Sequence, residues 1–406
     1  MLKGNAIVGQ SGGPTSVINA SLAGVIKGAL DSNGQIETIY GARHGIEGVL
    51  NENFINLSER FAEKSNLDLL ISTPAAYLGS CRYKLPKDSN DTFVKIFEIF
   101  KKHNITYFFY IGGNDSMDTV SKLSAYAKAN NHDVNIIGVP KTIDNDLAIT
   151  DHTPGFGSAA KYIASSLREI ARDVQVYDIN TVSIVEIMGR NAGWLTAAAA
   201  LARTQDEPGP HLIYLPELAF DIDKFVLDIE KASKKYKNVI AVVSEGIKTP
   251  DGKYVCEGAV SEIVDSFGHK QLSGTAKVLA DIIHDKFGWK VRSIEFSLLQ
   301  RCAAHITSQT DLTEAEQIGT AGVRAALNGE TGKMMYFKRT STSPYKIEIL
   351  SHDASAIANV EKVVPREWIN SEGNDILPPA IDYMLPLIQG ESTITFKDGL
   401  PVYLKV

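Results

Sequence analysis

The chain has 406 residues, of which 44% are hydrophobic and 22% charged, a composition typical of a globular protein with a large buried core. Its 41 basic and 48 acidic residues give a net charge of −7, which argues against nucleic-acid binding because that needs a basic surface. The chain contains no apolar run of about 18 residues, and its three cysteines are scattered along the sequence. We therefore expect a cytoplasmic protein with no signal peptide and no membrane or nucleic-acid partner.

Short apolar strands alternate with amphipathic helices along the chain, which is the pattern of a parallel α/β fold. The first predicted strand is 5–10 (NAIVGQ), and a helix is expected from about Val17 to Leu30. The runs 106–111 (TYFFYI) and 134–139 (VNIIGV) predict two further strands, which flank a helix with apolar residues at helical spacing.

The segment from Gly113 to Lys141 has the length of one strand–helix–strand crossover, so its two strands should run parallel. Their carboxyl ends then lie at one edge of the sheet, where open α/β sheets bind ligands. Topology alone therefore brings together the polar residues that follow these strands: Asn114, Asp115, Lys141, Asp144 and Asp146.

Three more strand-like runs follow (VSIVEI, HLIYL and VIAVV), and each ends in polar or glycine-rich residues. We therefore expect two Rossmann-like α/β lobes with mainly parallel sheets, a cleft between them and a boundary near Asp151 to Gly157. The expected domains are residues 1–155 with about 302–341, residues 156–301, and a C-terminal extension or subdomain over 342–406.

Two glycine-rich turns follow predicted strands. In SGGPTS, Gly12 and Gly13 would let backbone N–H groups approach an anion, although an ordinary strand-to-helix turn explains this motif equally well. In IGGNDS, Asp115 would repel a phosphate unless a cation such as Mg²⁺ lay between them. Helix capping by Asn114 or Asp115 is the simpler interpretation of that motif alone.

The string PKTIDND is the most informative. Phosphoryl transfer to an alcohol needs a carboxylate near the attacking hydroxyl, a metal, and cations on the transferring group. Lys141 supplies a cation, Thr142 a hydroxyl, and Asp144 and Asp146 supply carboxylates. A solvated acidic turn is the alternative, which the position beside GGNDS disfavours.

Isolated arginines and one glutamate have both a functional and a structural interpretation. Arg82 in GSCRYK could clamp a phosphate or form a surface ion pair. Arg190 and Glu245, each just past a strand, could bind a ligand or form a buried ion pair. Arg292 and Arg301 flank an apolar stretch, and solvent exposure on a helix surface is the default for them.

Seven strings taken together resemble the phosphofructokinase family: SGGPTSVINA, GSCRYK, IGGNDS, PKTIDND, EIMGR, VVSEG and SLLQR, in that order. They lie between Gly9 and Arg301, about three quarters of the chain. The family transfers a phosphoryl group to the 1-hydroxyl of fructose 6-phosphate in a cleft between two Rossmann-like lobes. The resemblance therefore implies a phosphotransferase that acts on fructose 6-phosphate, and a homodimer or homotetramer.

The resemblance also implies roles for individual residues. Asp144 would be the base that takes the sugar hydroxyl proton, and Thr142 would hydrogen-bond the transferring phosphoryl group. Lys141, Arg82 and Asp115, with Mg²⁺ held by Asn114 and Asp115, would complete the catalytic set. The donor would be bound by Gly12, Gly13, Arg82, Asp115, Ser116 and Lys141, and fructose 6-phosphate by Thr142, Asp144, Met188, Gly189, Arg190, Glu245, Arg292, Leu298 and Arg301.

Two positions indicate the phosphoryl donor. ATP-using members of the family typically have glycine where this chain has Asp115 and Lys141, whereas the Asp–Lys pair resembles the pyrophosphate-dependent members. A carboxylate at Asp115 would repel a nucleotide's α-phosphate, and Lys141 would add charge for a compact diphosphate. An ATP-dependent phosphofructokinase is the main alternative. A noncatalytic sugar-phosphate-binding subunit and a Rossmann dehydrogenase are more distant, because Asp144 is retained and GxGxxG is absent.

Three positions depart from the family pattern. Asn114 stands where an acidic metal ligand is usual, so Asp115 is expected to take over that role. Leu298 stands where a His or Tyr usually contacts the 6-phosphate. Thr181 replaces an arginine that, in bacterial ATP-using members, reaches across a subunit interface.

Overall fold

The computed structural model describes residues 2–86, 90–176, 178–257 and 272–406. Within these ranges two sheets are built from the strands β1 (Gly4–Gln10), β2 (Ile36–Ala42), β3 (Phe54–Asn56), β4 (Ile105–Gly112), β5 (Asn135–Pro140), β6 (Thr181–Ile187), β7 (Leu212–Tyr214), β8 (Asn238–Ser244), β9 (Lys290–Glu295), β10 (Lys333–Thr342) and β11 (Tyr345–Asp353). A short separate ribbon near the C-terminus pairs β12 (Phe396–Lys397) with β13 (Leu400–Pro401).

The α-helices of the described residues are α1 (Ile18–Leu30), α2 (Gly45–Leu50), α3 (Leu57–Arg60), α4 (Lys64–Ser72), α5 (Asn90–Lys102), α6 (Asn114–Ala129), α7 (Phe156–Val174), α8 (Trp194–Ala197), α9 (Ile222–Ser233), α10 (Thr275–Phe287), α11 (Gln309–Leu327) and α12 (Pro378–Met384). Short 3₁₀ turns include Ser297–Arg301 and Ala354–Ala356. None of the described helices is both long and apolar enough to cross a membrane.

The first sheet has the order β11-β10-β5-β4-β1-β2-β3, and its central strands run parallel. The second sheet, in the order β7-β8-β6-β9, is parallel throughout. The predicted crossover is confirmed, because β4 and β5 pair in parallel on either side of α6. The expected α/β fold with mainly parallel sheets is therefore confirmed.

Each face of the first sheet is covered by helices, because consecutive side chains of a buried strand point to opposite faces. Val8 packs in one core cluster with α1 and α11, while its neighbour Ile7 packs in another with α5 and α6. The α1 and α11 backbones approach so closely that a Cβ on Gly24 would lie 2.0 Å from the carbonyl oxygen of Glu316. Glycine is required at this crossing.

Two segments differ from the simple pattern in the sequence. The stretch from Arg292 to Arg301 was expected as a helix surface; this was wrong, since it forms the edge strand β9 and a 3₁₀ turn. Beyond residue 342, β11 extends the first sheet, whereas Ile369, Ile376 and Met384 pack into the core of the second. The C-terminal part of the chain therefore contacts both sheets.

Candidate active site

A cleft of about 990 Å³ lies where the carboxyl ends of both sheets meet. The turns after β1, β4 and β5 line one side, and the turns after β6, β8 and β9 line the other. Parallel strands leave their carboxyl ends on one edge, so residues far apart in sequence converge here. Of the predicted site residues, those that line the cleft are Gly12, Gly13, Arg82, Asn114, Asp115, Ser116, Lys141, Thr142, Asp144, Met188, Gly189, Arg190, Glu245, Leu298 and Arg301.

Hydrogen bonds to the Gly12 backbone fix the position of the turn after β1. Gly12 has φ +74°, a left-handed conformation that glycine adopts without strain. Its N–H donates to the carbonyl oxygen of Cys81 at 3.1 Å, and its own carbonyl accepts from the Ser80 hydroxyl at 2.6 Å. These bonds fix the loop that carries Arg82 against the glycine turn, so both face the cleft together.

The glycine turn also joins the turn after β4. The hydroxyl oxygens of Ser11 and Ser116 lie 2.5 Å apart. Gly112 leaves room for this contact, since a Cβ there would lie 1.9 Å from the Ser116 hydroxyl oxygen. Ser116 is buried and engaged with Ser11, so it acts as a link between the two turns.

Lys141 is the cation at the base of the cleft. Its side chain is only 2% exposed, and its Nζ donates to the carbonyl oxygen of Gly13 at 2.5 Å. The pKa of Lys141 is lowered to about 8, chiefly by burial; Asp144 opposes this shift, and the guanidiniums of Arg301 and Arg82 add to it. A buried cation of this kind lacks a full counterion shell and is suited to receive an anionic ligand.

Asp144 lies beside Thr142 on the segment that follows β5. The Thr142 hydroxyl donates to Asp144 Oδ2 at 3.3 Å and accepts from the Asp144 N–H at 3.1 Å. Burial raises the pKa of Asp144, while the Thr142 hydrogen bond and Lys141 oppose that shift. A carboxylate that is held by one hydroxyl and has a raised pKa is a suitable proton acceptor.

The local backbone places Asp144 and Asp146 on either side of a buried asparagine. Asn145 has φ +56°; its Nδ2 donates to the Tyr383 hydroxyl at 2.9 Å and its Oδ1 accepts from the Thr153 N–H at 3.1 Å. Burial, and then the charge of Asp144, raise the pKa of Asp146 to about 7. Asn145 is the anchor that sequence reasoning missed, because its role depends on partners distant in the chain.

The two predicted metal ligands differ in availability. Asn114 Oδ1 accepts a hydrogen bond from the Asn359 N–H, and its Nδ2 donates to the carbonyl oxygen of Val360 at 3.0 Å. Asp115 faces the cleft with its side chain 31% exposed, and its Oδ1 lies 3.7 Å from Lys84 Nζ. Asp115 is therefore better placed than Asn114 to bind a cation, and a carboxylate that meets substrate phosphates suits Mg²⁺.

On the second sheet, the turns after β6 and β8 are joined at Gly189, which has φ +135°. Its carbonyl oxygen accepts from the Ser244 hydroxyl at 2.5 Å, and its N–H donates to Glu245 Oε1 at 3.3 Å. The pKa of Glu245 is raised to about 7, chiefly by burial and also by the charge of Asp144, while the Gly189 hydrogen bond and Arg190 oppose the shift. Arg190, Glu245 and Asp144 are therefore close enough to influence one another electrostatically.

Of the predicted site residues on β9 and the following turn, Arg301 and Leu298 line the cleft and Arg292 does not. The Arg301 guanidinium lies close to the glycine turn, since a Cβ on Gly13 would be 3.2 Å from its Nη1. Leu298 lines the cleft and is 55% exposed. Arg292 lies on edge strand β9 outside the set of cleft-lining residues, and its buried Nη1 has no hydrogen-bond partner among the described residues. The role of Arg292 at the sugar 6-phosphate stays a prediction.

Sequence reasoning missed several cleft residues. Glu186, the last but one residue of β6, accepts from the Ala276 N–H at the start of α10 at 2.8 Å. Gln300 is buried and its Oε1 accepts from the Met188 N–H at 3.4 Å. A third group is the C-terminal strap, residues 359–362, whose Asn359 and Glu361 line the cleft. The strap belongs to no recognisable motif, so only the tertiary structure reveals it.

Two α/β sheets that face one cleft lined by a buried lysine, arginines and carboxylates define a class of enzyme that acts on phosphorylated small molecules. The family model described as Phosphofructokinase matches residues 5–326, and the chain belongs to the phosphofructokinase family.

Relatives and solved structures extend over almost the whole chain. A Methylococcus capsulatus protein named pyrophosphate–fructose 6-phosphate 1-phosphotransferase is 40% identical over 404 residues, 98% of this chain and 95% of that protein. A Xanthomonas campestris protein of the same name is 41% identical over 411 residues, 100% of this chain and 97% of that protein. The crystal structure of a pyrophosphate-dependent phosphofructokinase from Nitrosospira multiformis has a TM-score of 0.90 at 39% identity, and covers 99% of this chain and 96% of that one.

Proposed function

We propose that the chain transfers a phosphoryl group from Mg²⁺-pyrophosphate to the 1-hydroxyl of fructose 6-phosphate, giving fructose 1,6-bisphosphate and phosphate in a reversible reaction. The observation that carries this proposal is the buried Lys141 ammonium beside the Gly12–Gly13 turn, with the Asp115 carboxylate in the same cleft. The names of the relatives from Methylococcus and Xanthomonas support the same donor and acceptor.

Asp144 is the proposed base. The sugar hydroxyl oxygen attacks the terminal phosphorus, the bridging P–O bond breaks, and Asp144 accepts the hydroxyl proton as inorganic phosphate leaves. Its raised pKa and its contact with Thr142 support this role, because the carboxylate is held in place and gains a proton readily. Thr142 is then left to hydrogen-bond the transferring group.

The donor site is the positive part of the cleft. Lys141, Arg82 and Arg301 influence one another electrostatically, which places three cations around the glycine turn. They neutralise the charge that develops on the transferring oxygens, an effect that is strong where water is excluded. Arg301, expected at the sugar 6-phosphate, lies close enough to Gly13 to contribute to this donor site as well.

The acceptor site is the second-sheet side of the cleft. Arg190 supplies a cation, and Glu245 with the Met188 and Gly189 backbone supplies hydrogen-bonding groups for sugar hydroxyls. Glu245 already accepts from the Gly189 N–H, so its carboxylate is oriented before substrate binds. This arrangement supports a polyhydroxyl ligand that carries an anionic group.

Mg²⁺ is the proposed cofactor, with Asp115 as its protein ligand. When bound, the ion would supply further positive charge to the diphosphate oxygens. Asn114 is the weaker candidate for this role, because both polar atoms of its side chain already bond to the strap backbone. The division into a donor lobe (1–155 with about 302–341), a sugar lobe (156–301) and an extension (342–406), a homo-oligomer and a cytoplasmic location remain predictions.

A coupled assay tests the proposal. Purified protein is given fructose 6-phosphate and Mg²⁺ with either pyrophosphate or ATP, and fructose 1,6-bisphosphate is detected with aldolase and an NADH-linked enzyme. We expect turnover with pyrophosphate and little with ATP. Turnover with ATP alone would favour the ATP-dependent alternative, and no turnover with either would contradict the proposal.

A further inference from the structure

The C-terminal strap crosses one end of the cleft. Asn359 and Glu361 line that end, beside Asp115 at the start of α6. The strap comes from the part of the chain beyond residue 342, far in sequence from the motifs that form the rest of the site. Its position is therefore set by tertiary contacts, which fall into three groups.

The first group fixes the strap to α6. Both polar atoms of the Asn114 side chain bond to strap backbone, Oδ1 to the Asn359 N–H and Nδ2 to the Val360 carbonyl oxygen. Asn359 has φ +65°, a left-handed conformation that asparagine adopts more readily than most residues. The chain thus turns directly over the residue that precedes Asp115.

The second group fixes the strap to the segment after β5. The Lys362 N–H donates to the Asp146 carbonyl oxygen at 2.7 Å, one residue from the bridge between Leu147 and Glu361. The Lys362 ammonium donates to the carbonyl oxygens of Thr150 at 3.1 Å and Asp151 at 2.7 Å. These hydrogen bonds fix the strap backbone against the segment that follows β5.

The third group joins the strap to the second sheet. Glu361 Oε1 accepts from Asn191 Nδ2 at 3.0 Å, just past Arg190. The Glu361 charge also raises the pKa of Asp146, after the larger effects of burial and Asp144. Glu361 therefore adds negative charge to an end of the cleft that already contains the Asp115 carboxylate.

We propose that the strap is a determinant of donor selectivity, because it closes the cleft beyond the space of two linked phosphates. A nucleoside triphosphate continues past its two terminal phosphates, and it would meet the Asn359 side chain and the Glu361 carboxylate. Pyrophosphate ends before those side chains. The inference rests on the proposed function and adds a second element to the Asp115–Lys141 pair.

The test removes the side chains of the two strap residues that line the cleft and keeps the strap backbone. In N359G/E361A, glycine suits the positive φ at 359, and the Asn114 bonds persist because they are made to backbone atoms. The matched control is Glu367→Ala, which removes an exposed glutamate six residues further on, outside the cleft. Melting temperatures show whether all three proteins are folded.

Two quantities are measured. The first is the ratio of kcat/KM for ATP to kcat/KM for pyrophosphate, and the second is the Kd of the protein for the Mg²⁺ complex of a nonhydrolysable ATP analogue, measured by calorimetry. We expect N359G/E361A to raise the ratio and to tighten the analogue Kd at least tenfold, with Glu367→Ala unchanged. A ratio and Kd equal to those of the wild type would overturn the inference. If wild-type protein did not use pyrophosphate, the proposed function would fail, and the analogue Kd alone would decide the role of the strap.

Discussion

The Lys141 ammonium donates a hydrogen bond to the Gly13 carbonyl oxygen at 2.5 Å, which joins the turn after β5 to the turn after β1. A Cβ on Gly12 would lie 3.4 Å from the same nitrogen. The lysine therefore lies directly against the Gly12–Gly13 turn at the base of the cleft. Its charge is fixed at the place where a phosphate oxygen would approach the glycine turn.

Replacing Asp115 and Lys141 together by glycine should shift donor use toward ATP. The double substitution removes a carboxylate and a buried ammonium from the donor end of the cleft. We expect the kcat/KM ratio of ATP to pyrophosphate to rise at least tenfold in steady-state assays. An unchanged ratio in a folded variant would show that these two side chains do not select the donor.

Asp144→Asn should lower kcat by at least about 100-fold, the lower range for positioned proton transfer. Asparagine keeps the shape of the side chain but accepts no proton at this position. Asp133→Asn, an exposed substitution outside the cleft, is the matched control and should leave kcat unchanged. Near-normal kcat in Asp144→Asn would remove this residue from the role of base.

The pH dependence of pyrophosphate use should reflect Lys141. Since burial lowers its pKa to about 8, the free enzyme loses this positive charge as pH rises through 8, and kcat/KM for pyrophosphate should fall there. Lys141→Met should have a lower kcat/KM and should lack that alkaline decline. Lys362→Met is the comparison, because burial lowers the pKa of Lys362 to about 8 as well, while its ammonium donates to two backbone carbonyl oxygens and lies over the Trp194 ring instead of contacting the glycine turn.

Survival of the alkaline decline in Lys141→Met, or its loss in Lys362→Met, would assign the titration to another group. The same profiles recorded for fructose 6-phosphate at saturating pyrophosphate separate donor binding from acceptor binding. We expect the decline to be weaker in that series, because bound diphosphate favours the charged form of Lys141.

Arg190→Leu should weaken acceptor binding more than donor binding. The side chain lines the second-sheet side of the cleft, at the end of β6. We expect KM for fructose 6-phosphate to rise at least tenfold, and KM for pyrophosphate to change less than threefold. Equal rises in both KM values would indicate that Arg190 organises the whole cleft instead of binding the sugar phosphate.

A buried histidine should make stability depend on pH. His152 bonds two carboxylates, Asp151 Oδ2 at 2.9 Å through Nδ1 and Glu314 Oε2 at 2.7 Å through Nε2, so both ring nitrogens donate and the ring is charged. Burial lowers the pKa of His152, but the stronger combined effect of Glu314 and Asp151 raises it to about 9.

Because the folded-state pKa is raised, this contribution is complete below about pH 6.5 and is lost as pH rises through 9. It corresponds to about 3 kcal/mol of unfolding free energy, from 1.36 kcal/mol per unit of pKa. Urea unfolding of wild type and His152→Gln should therefore differ most at pH 6 and least at pH 10. A pH-independent difference, or an NMR titration of the ring near pH 6.5, would contradict this assignment.

Most of the cleft could be predicted from sequence because its residues follow strands. Lys141, Asp144 and Arg190 each lie just past an apolar run, and parallel topology alone brings such positions to one edge. The helix at 18–30 and the crossover from β4 to β5 were likewise readable from apolar spacing and length. Local periodicity fixes these features, so no knowledge of distant contacts was needed.

The remaining features depend on contacts that no local pattern records. The family resemblance implies Asn114 as a metal ligand, yet its side chain bonds to the strap backbone, 245 residues further along the chain. The residues from Arg292 onward were interpreted as a helix surface, but they pair with β6 and form an edge strand. Glu361 lies in no motif, and it reaches the cleft only because Asn114 and Lys362 hold the strap there.

The most direct test of the central claim is a competition between donors. Wild-type protein is incubated with Mg²⁺, fructose 6-phosphate and equal concentrations of pyrophosphate and ATP, and ³¹P NMR follows both donors in one sample. The Asp115–Lys141 cleft predicts that pyrophosphate is converted to phosphate and fructose 1,6-bisphosphate while the ATP resonances persist. Formation of ADP with pyrophosphate unconsumed would contradict the account.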